Sequence, residues 1–470
     1  MKRIFLKISL MAVVALTATY QNANAKIWRV NNNPGKSGTF EVIPGEEVIV
    51  FGDLTSALWS LKRGGQGNIA EGDTIHIEGS VTAYGKATQT ATNCDTIYKK
   101  VVIIGPGYML SDNAETQHNK ESAKIRTLHI IPAAAGTVIA GLEQVAPTGG
   151  TNFYDPNWGV QAAYYNCTYG INSYGGWGDT PGSYKIRIEA DNVVISHCKL
   201  FYVDLFNKNS ALTNITITKC VFNPGLIACA AGNNMVTNVI ISNNFFKNRW
   251  NWGVGYWYQI IPSSAVIDFR GAANYCGRND NTATRVWDEC TFPVINPTIQ
   301  NNTFYDYFNI LAKGCQVFNN LFFPKNGHYG SFGLFKFSDR PHVMRDNIVY
   351  NVSFWNAPSA GGNTYNDTNY GGMLPGIDGN QYSNIAETSW FTSSTTLPAL
   401  DKSFILSNGS PARSSDGIET KQRGMYGGLS PYQLSGLYTI PAVWEISIPS
   451  YPSGEVPSTG FEVRVRVKSH

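Results

Sequence analysis

"NVIISNNFFKN", residues 238–248, sets two adjacent amides between an aliphatic run and two phenylalanines. Its first half alternates apolar and polar positions as a half-buried strand does, yet Asn is depleted in strands. An amide buried without a partner costs roughly 1–3 kcal/mol. A partner must therefore come from elsewhere in the chain, and a repeat supplies one.

The same frame returns in "NVVISHCKLF" from Asn192, "NITITKCVF" from Asn214, "TIQNNTF" from Thr298, "QVFNNLF" from Gln316 and "VMRDNIV" from Val343. Three columns align. The first is Ile195, Ile217, Ile241, Ile299, Val317 and Met344; the second is Cys198, Cys220, Asn244, Asn302, Asn320 and Asn347; the third is Leu200, Phe222, Phe246, Phe304, Phe322 and Val349. Steps along the second column are 22, 24, 58, 18 and 27 residues, and the long step contains the insertion that starts at "RWNWGVGYWYQI". A unit this short, ending in β-type segments, fits one coil of a parallel β-solenoid in which equivalent side chains stack about 4.8 Å apart. An Asn at the corner between two strands tolerates the left-handed backbone of a tight bend. Its amide is expected to pair with the Asn or the backbone of adjoining coils, which fixes register. Cys198 and Cys220 occupy the same rung and are expected to be buried thiols. The alternative, hairpin turns in an antiparallel fold, leaves the three aligned columns without a cause.

These columns resemble the right-handed parallel β-helix, or pectate-lyase-like, superfamily across residues 190 to 350. "DLTSALWSLKRG" followed by "EGDTIHIEG" is similar to the usual opening of such proteins. Asp53 is the expected N-cap of a short helix with Leu54, Leu58 and Leu61 on one face, placed to cover the open end of the solenoid. "KKVVIIGPGYML", "TLHIIPAAAGTVIAGLE" and "LDKSFILSNGSPARSSDGIETKQRGMYGG" resemble segments of exported β-helix proteins of Gram-negative anaerobes. The expected fold is all-β: a single-stranded right-handed parallel β-helix over residues 26–423, with an N-terminal helical cap and side-loop insertions. After residue 423 the alternating strands "AVWEISIP" and "FEVRVRVKS" predict a short C-terminal β tail over 424–470.

The first 25 residues read as a secretory leader. Lys2, Arg3 and Lys7 precede an apolar stretch of about a dozen residues, too short to span a bilayer, that ends in Ala23-Asn24-Ala25. Export to the periplasm, cell surface or medium is the expectation. Without the three leader cations, the 36 Lys and Arg become 33, balanced by 33 Asp and Glu. A neutral chain with only 15% charged residues carries no basic footprint for nucleic acid, and no later segment is apolar for long enough to cross a membrane. Of the eight cysteines, Cys276 and Cys290 flank a polar loop and form the best candidate disulfide. No cysteine or histidine spacing matches a zinc site.

Chemistry is sparse in the sequence. The resemblance implies, for a lyase, Ca²⁺-holding carboxylates with an Arg or Lys base, and for a hydrolase two or three close acids. No Asp-Asp pair, Gly-His-Gly or Asn-Thr-Asp occurs, which argues against a hydrolase. Arg340, His342 and Arg345 in "FSDRPHVMRDNIVYN" are similar to the Arg-x-Pro-x-x-Arg stretch of pectate lyases, although the spacing here is Arg-Pro-x-x-x-Arg. Strand alternation puts Met344 and Asn347 inside and Arg345 outside. These three are the candidate catalytic residues, with solvated or ion-paired surface arginines as the alternative. Two aromatic loops offer candidate binding residues: Tyr154, Trp158, Tyr174 and Trp177 in one, Trp250, Trp252, Tyr256 and Trp257 in the other. Flat rings with a polar edge suit stacking on sugars, and burial against the solenoid wall is the competing reading. Asp155, Asp179 and Asp268 could bind Ca²⁺ in a lyase, but no dense carboxylate motif supports it, so no resident cofactor or metal is expected. Two functions follow: a non-catalytic exported protein that presents a lateral surface to polysaccharide or another cell-envelope partner, or a pectate-lyase-like enzyme acting on uronic-acid polymers through an atypical site.

Overall fold

The computed structural model describes residues 25–468 apart from 44–45, 66, 86–93, 114–118, 146–184, 208, 223–224, 230–233, 249–264, 270–291, 307–308, 325–342, 351–377, 384, 393–400, 414–421, 439–441 and 448–463. The candidate disulfide Cys276–Cys290 falls outside these residues.

The chain visits three sheets in turn. In the first, strands Thr74–Ile77, Val102–Ile104, Val138–Ala140, Val194–Ser196, Leu212–Thr218, Val236–Ser242, Thr298–Gln300, Gln316–Phe318 and Val343–Arg345 pair in parallel, each with the next. Ile195, Ile217, Ile241, Ile299, Val317 and Met344 lie in one register row, as their spacing predicts, and the row continues through Ile139, Ile103 and Ile75. In the second sheet Phe222, Phe246, Phe304, Phe322 and Val349 are register partners. Consecutive phenylalanine rings stack at 4.9, 4.9 and 5.0 Å. The third sheet runs through Asp95–Ile97, Leu128–Ile130, Ile186–Ile188, Tyr202–Leu205, Leu226–Ala228, Ala265–Asp268 and Asn309–Leu311. Inward side chains of all three sheets belong to one apolar core, and the architecture is an all-β parallel β-helix.

Helix α1 (Leu54–Arg63) closes the N-terminal end. The Asp53 carboxylate accepts from the Thr55 N–H at 3.1 Å, and Leu54, Ala57, Leu58 and Leu61 are buried in the same core. Thr55 Oγ1 donates to Asp95 Oδ1 at 2.6 Å, which ties the cap to the end strand of the third sheet.

The second column is a continuous amide ladder. Asn244, Asn302, Asn320 and Asn347 are each fully buried, and Asn380 adds a fifth rung. The amide nitrogens of Asn244, Asn302, Asn320 and Asn347 each donate to the Asn oxygen of the next coil at 3.0–3.1 Å, and these four and Asn380 each donate to a main-chain carbonyl of the preceding coil at 2.8–3.0 Å. Each rung's own N–H donates to the same Asn oxygen, as the Cys220 N–H does to Asn244. Cys198 and Cys220 are free thiols that donate to main-chain carbonyls. One expectation is corrected. The left-handed backbone belongs to the residue before the ladder, namely His197, Lys219, Asn243, Asn301, Asn319 and Asp346, with φ between 53° and 55°. The ladder amide turns inward because its neighbour makes the bend. A second left-handed row, Asn192, Asn214, Asn238 and Asn296, stands two residues before the first-sheet register row Val194, Thr216, Ile240 and Thr298. There Asn214 donates to Asn192 at 2.7 Å and Asn238 to Asn214 at 2.5 Å, a solvent-facing amide ladder at another corner.

The C-terminal part clothes the second sheet. Trp390, Phe391, Phe404, Leu406 and Met425 bury its outward residues Phe245, Leu321, Phe323, Ile348 and Tyr350 in a separate apolar cluster. Residues 422–437 hold no strand and descend the left-handed corner coil by coil. Arg423 donates to the Asp346 carbonyl, Gly424 N–H to that of Asn319, and Asn243 to those of Met425 and Gly427. Lower down, His197 Nε2 meets Gln433 Oε1 at 3.2 Å and Tyr108 N–H donates to Ser435. Several of the corner's polar groups thus find partners in the strap, while His197 Nδ1 and Asn301 Oδ1 are buried without one. Buried Asp401 anchors it, accepting from Asn113, Tyr432 and the Ser435 N–H. Beyond the strap, Ala442–Ser447 and Arg464–Lys468 form an antiparallel pair.

Candidate functional site

The sequence-selected residues are only partly placed. Tyr154, Trp158, Tyr174, Trp177, Trp250, Trp252, Tyr256, Trp257, Arg340 and His342 lie outside the described residues, as do Asp155 and Asp179. Arg345 is exposed on the outer side of the first sheet, between buried Met344 and the buried Asn347 rung, and its guanidinium lies 5.9 Å from the Phe318 ring centre. The structure brings it together with no other candidate among the described residues. Asp268 ends a third-sheet strand opposite Ala228 and Leu311. Among the described residues no group of three or more His, Cys, Asp or Glu is set to hold a metal ion, and no helix is long and apolar enough to cross a membrane.

The outer side of the third sheet concentrates the charged chemistry. Thr96, His129, Arg187 and Asp204 sit side by side in four consecutive strands. Because alternate residues face outward, Cys94 shares that side with Thr96, and Lys185 and Glu189 share it with Arg187. His129 Nε2 lies 2.8 Å from Glu189 Oε1, a diagonal contact to the adjoining strand, and Asn209 Nδ2 is 3.5 Å from Glu189 Oε2. Lys185 Nζ and Arg187 Nε both lie 3.4 Å from Asp204 Oδ2, and the Arg187 guanidinium stands 3.9 Å from the Phe206 ring centre. At the N-terminal end of this face, Lys62 from α1 reaches 4.3 Å from the Tyr98 ring centre and 4.7 Å from that of Trp59, which is 47% exposed.

The electrostatics of the row follow from these contacts. Burial pushes the His129 imidazole towards the neutral form, but hydrogen bonds to Cys94 and Glu189 and their charges outweigh it and raise its pKa from 6.5 to about 9. His129 is therefore a cation at neutral pH. Burial likewise opposes ionisation of Cys94 and Glu189, and the His129 contact lowers both in spite of it. In each pair the carboxylate lies deeper than its cation: the Asp204 side chain is 4% exposed against 15% for Lys185 and 11% for Arg187, and Glu189 is 11% against 19% for His129. Among the described residues of these pairs, the cation is in each case more exposed than its carboxylate, and aromatic rings stand at one end of the face.

None of these residues had been singled out from sequence. Their signal is the alternation of "KIRIE" at 185–189, of "TLHI" at 127–130, and of "YVDLF" at 202–206. Each reads as an ordinary amphipathic strand until stacking places the polar members in one row.

No protein-family profile and no curated protein matches the chain. Among solved structures, a variant of a PL6-family alginate lyase aligns with 81% of this chain and 56% of its own, at 11% identity and a TM-score of 0.22. The chain thus spans little more than half the length of that enzyme, and a likeness this slight identifies no activity.

Proposed function

We propose that the chain is an exported β-helix protein whose third-sheet outer face binds an anionic polysaccharide or cell-envelope glycan. The observation that carries this reading is the row of cations His129, Lys185 and Arg187, each paired with a carboxylate less exposed than itself, with Lys62 set over two aromatic rings at the N-terminal end. Trp59 and Tyr98 supply the flat rings on which sugar rings stack. The other faces suit the role less: the second is covered by Trp390, Phe391, Phe404, Leu406 and Met425 of the C-terminal part, and the first presents an uncharged row of Thr216, Ile240, Thr298 and Gln316. Strands stacked on a packed core hold the row rigid, so binding requires little ordering.

The test is calorimetric titration against uronate, sulfated and neutral polysaccharides. Anionic polymers are expected to bind, more weakly as salt rises, and Trp59→Ala with Lys62→Gln is expected to weaken binding at least tenfold while leaving the melting temperature unchanged. Neutral polymers bound as tightly, or a double variant with unaltered affinity, would refute the reading. Ultraviolet absorbance from unsaturated ends, appearing with a uronate polymer, would replace binding with β-elimination.

A further inference from the structure

One cluster on this face exceeds what binding requires. Cys94 is free and partly exposed, at the start of the third-sheet end strand. Its sulfur lies 3.8 Å from Thr96 Oγ1, and Thr96 stands directly opposite His129 in the register. Cys94 stands diagonally across from His129, whose contact favours the thiolate, and His129 Nε2 lies 2.8 Å from the Glu189 carboxylate. Thiol, imidazole and carboxylate thus form a chain across three consecutive strands, an arrangement that serves nucleophilic catalysis.

We propose that Cys94, His129 and Glu189 form an acyl-transfer site that takes ester-linked acyl groups, with Cys94 as nucleophile, His129 as its proton partner and Glu189 as the positioning residue. The ester class rests on the glycan reading, since sugar hydroxyls are the groups such a face would present in acylated form. The Cys94 thiolate attacks the acyl carbonyl carbon, the ester C–O bond breaks, and the alkoxide departs with the proton held on His129. A water then attacks the thioester and gives its proton to His129. The C–S bond breaks, the carboxylic acid leaves, and the thiolate–imidazolium pair is restored. Glu189 keeps the ring oriented and stabilises its cation throughout. The groups bordering the pair are Asp95 next in sequence, whose charge opposes thiolate formation, and Arg187, whose charge favours an ionised Glu189. Inward-facing thiols behave oppositely: burial raises Cys220 and Cys315, which leaves them inert.

The experiment is iodoacetamide alkylation of the intact protein across pH, read by peptide mass mapping, together with incubation with p-nitrophenyl acetate. Cys94 is expected to be alkylated with a midpoint below the ordinary thiol value of about 8.5. His129→Gln and Glu189→Gln should raise that midpoint, an effect that loss of packing alone would not give. The acetate ester should leave an acetyl group on Cys94 and turn over, and Cys94→Ser should abolish turnover while still binding the anionic polysaccharide. A midpoint at or above 8.5, Cys94 found in a disulfide, or turnover undiminished in Cys94→Ser would overturn the proposal. The alkylation profile needs only the native protein, so a misfolded variant does not void the test. A reactive Cys94 on a protein that binds no glycan would refute the binding reading alone.

Discussion

Replacing Asn244 by Leu probes the amide ladder at a rung where every bond is defined. The Asn244 oxygen accepts the Cys220 N–H at 2.9 Å, and its amide nitrogen donates to the Ile217 carbonyl and to Asn302 Oδ1, both at 3.0 Å. Leucine has the same branching and number of side-chain heavy atoms, though bulkier methyls, and removes all three. Asn302 Oδ1 keeps the Asn244 N–H, so that acceptor survives. The Cys220 N–H and the Ile217 carbonyl lose their side-chain partner in a dry core, at roughly 1–3 kcal/mol each. The extra apolar burial of leucine returns roughly 1–2 kcal/mol. The net loss is therefore about 3 kcal/mol. Urea denaturation followed by far-ultraviolet circular dichroism, with the m-value held constant between variants, measures it. Asn238→Gly serves as the control: its amide is solvent-exposed, and glycine adopts the left-handed backbone freely, so a change under about 1 kcal/mol is expected. A stability loss under about 0.5 kcal/mol for Asn244→Leu would refute the premise that stacking satisfies these amides.

Two further outcomes follow from the packing. Burial holds His197 neutral, lowering its pKa from 6.5 to about 4 beneath the strap, with the Lys219 charge adding to the effect. The unfolded chain takes up this proton first, so stability is complete above pH 6.5 and falls by roughly 3 kcal/mol as pH drops towards 4; His197→Asn, which suits the left-handed corner, should flatten that slope in urea titrations at fixed pH. Phe246→Ala removes a ring stacked at 4.9 Å on both Phe222 and Phe304 and should cost about 3–5 kcal/mol, measured by the same denaturation.

Side chains that point inward were legible from sequence because the coil repeats them. The aliphatic, amide and phenylalanine columns each need one residue type at one place per turn, so alignment of six short stretches recovers the register. The same alignment misplaced the bend by one residue, because Asn243 and Asn244 are both amides and only the backbone tells which turns left-handed. Asn380 was missed since "GNQYS" lacks the aliphatic residue that marks other rungs. The strap 422–437 has no periodicity to read: it follows a corner by single hydrogen bonds. The charged face was hidden for a different reason. Cys94, His129 and Glu189 are 35 and 60 residues apart in sequence, and only third-sheet pairing brings them together. Outward positions face no common packing demand, so they vary from coil to coil and leave no column to align.

Every placement on the third face depends on coils that pile up in parallel, and a distance between two exposed corners tests this most directly. Lys100 and Asn296 each stand two residues before a first-sheet strand, separated by five coil steps through positions 136, 192, 214 and 238. At about 4.8 Å per step, spin labels at these two sites should lie about 24 Å apart by double electron–electron resonance, broadened by the label arms. A narrow distribution beyond about 40 Å would contradict the stacked register, and with it the grouping of Cys94, His129, Arg187 and Glu189 on one face.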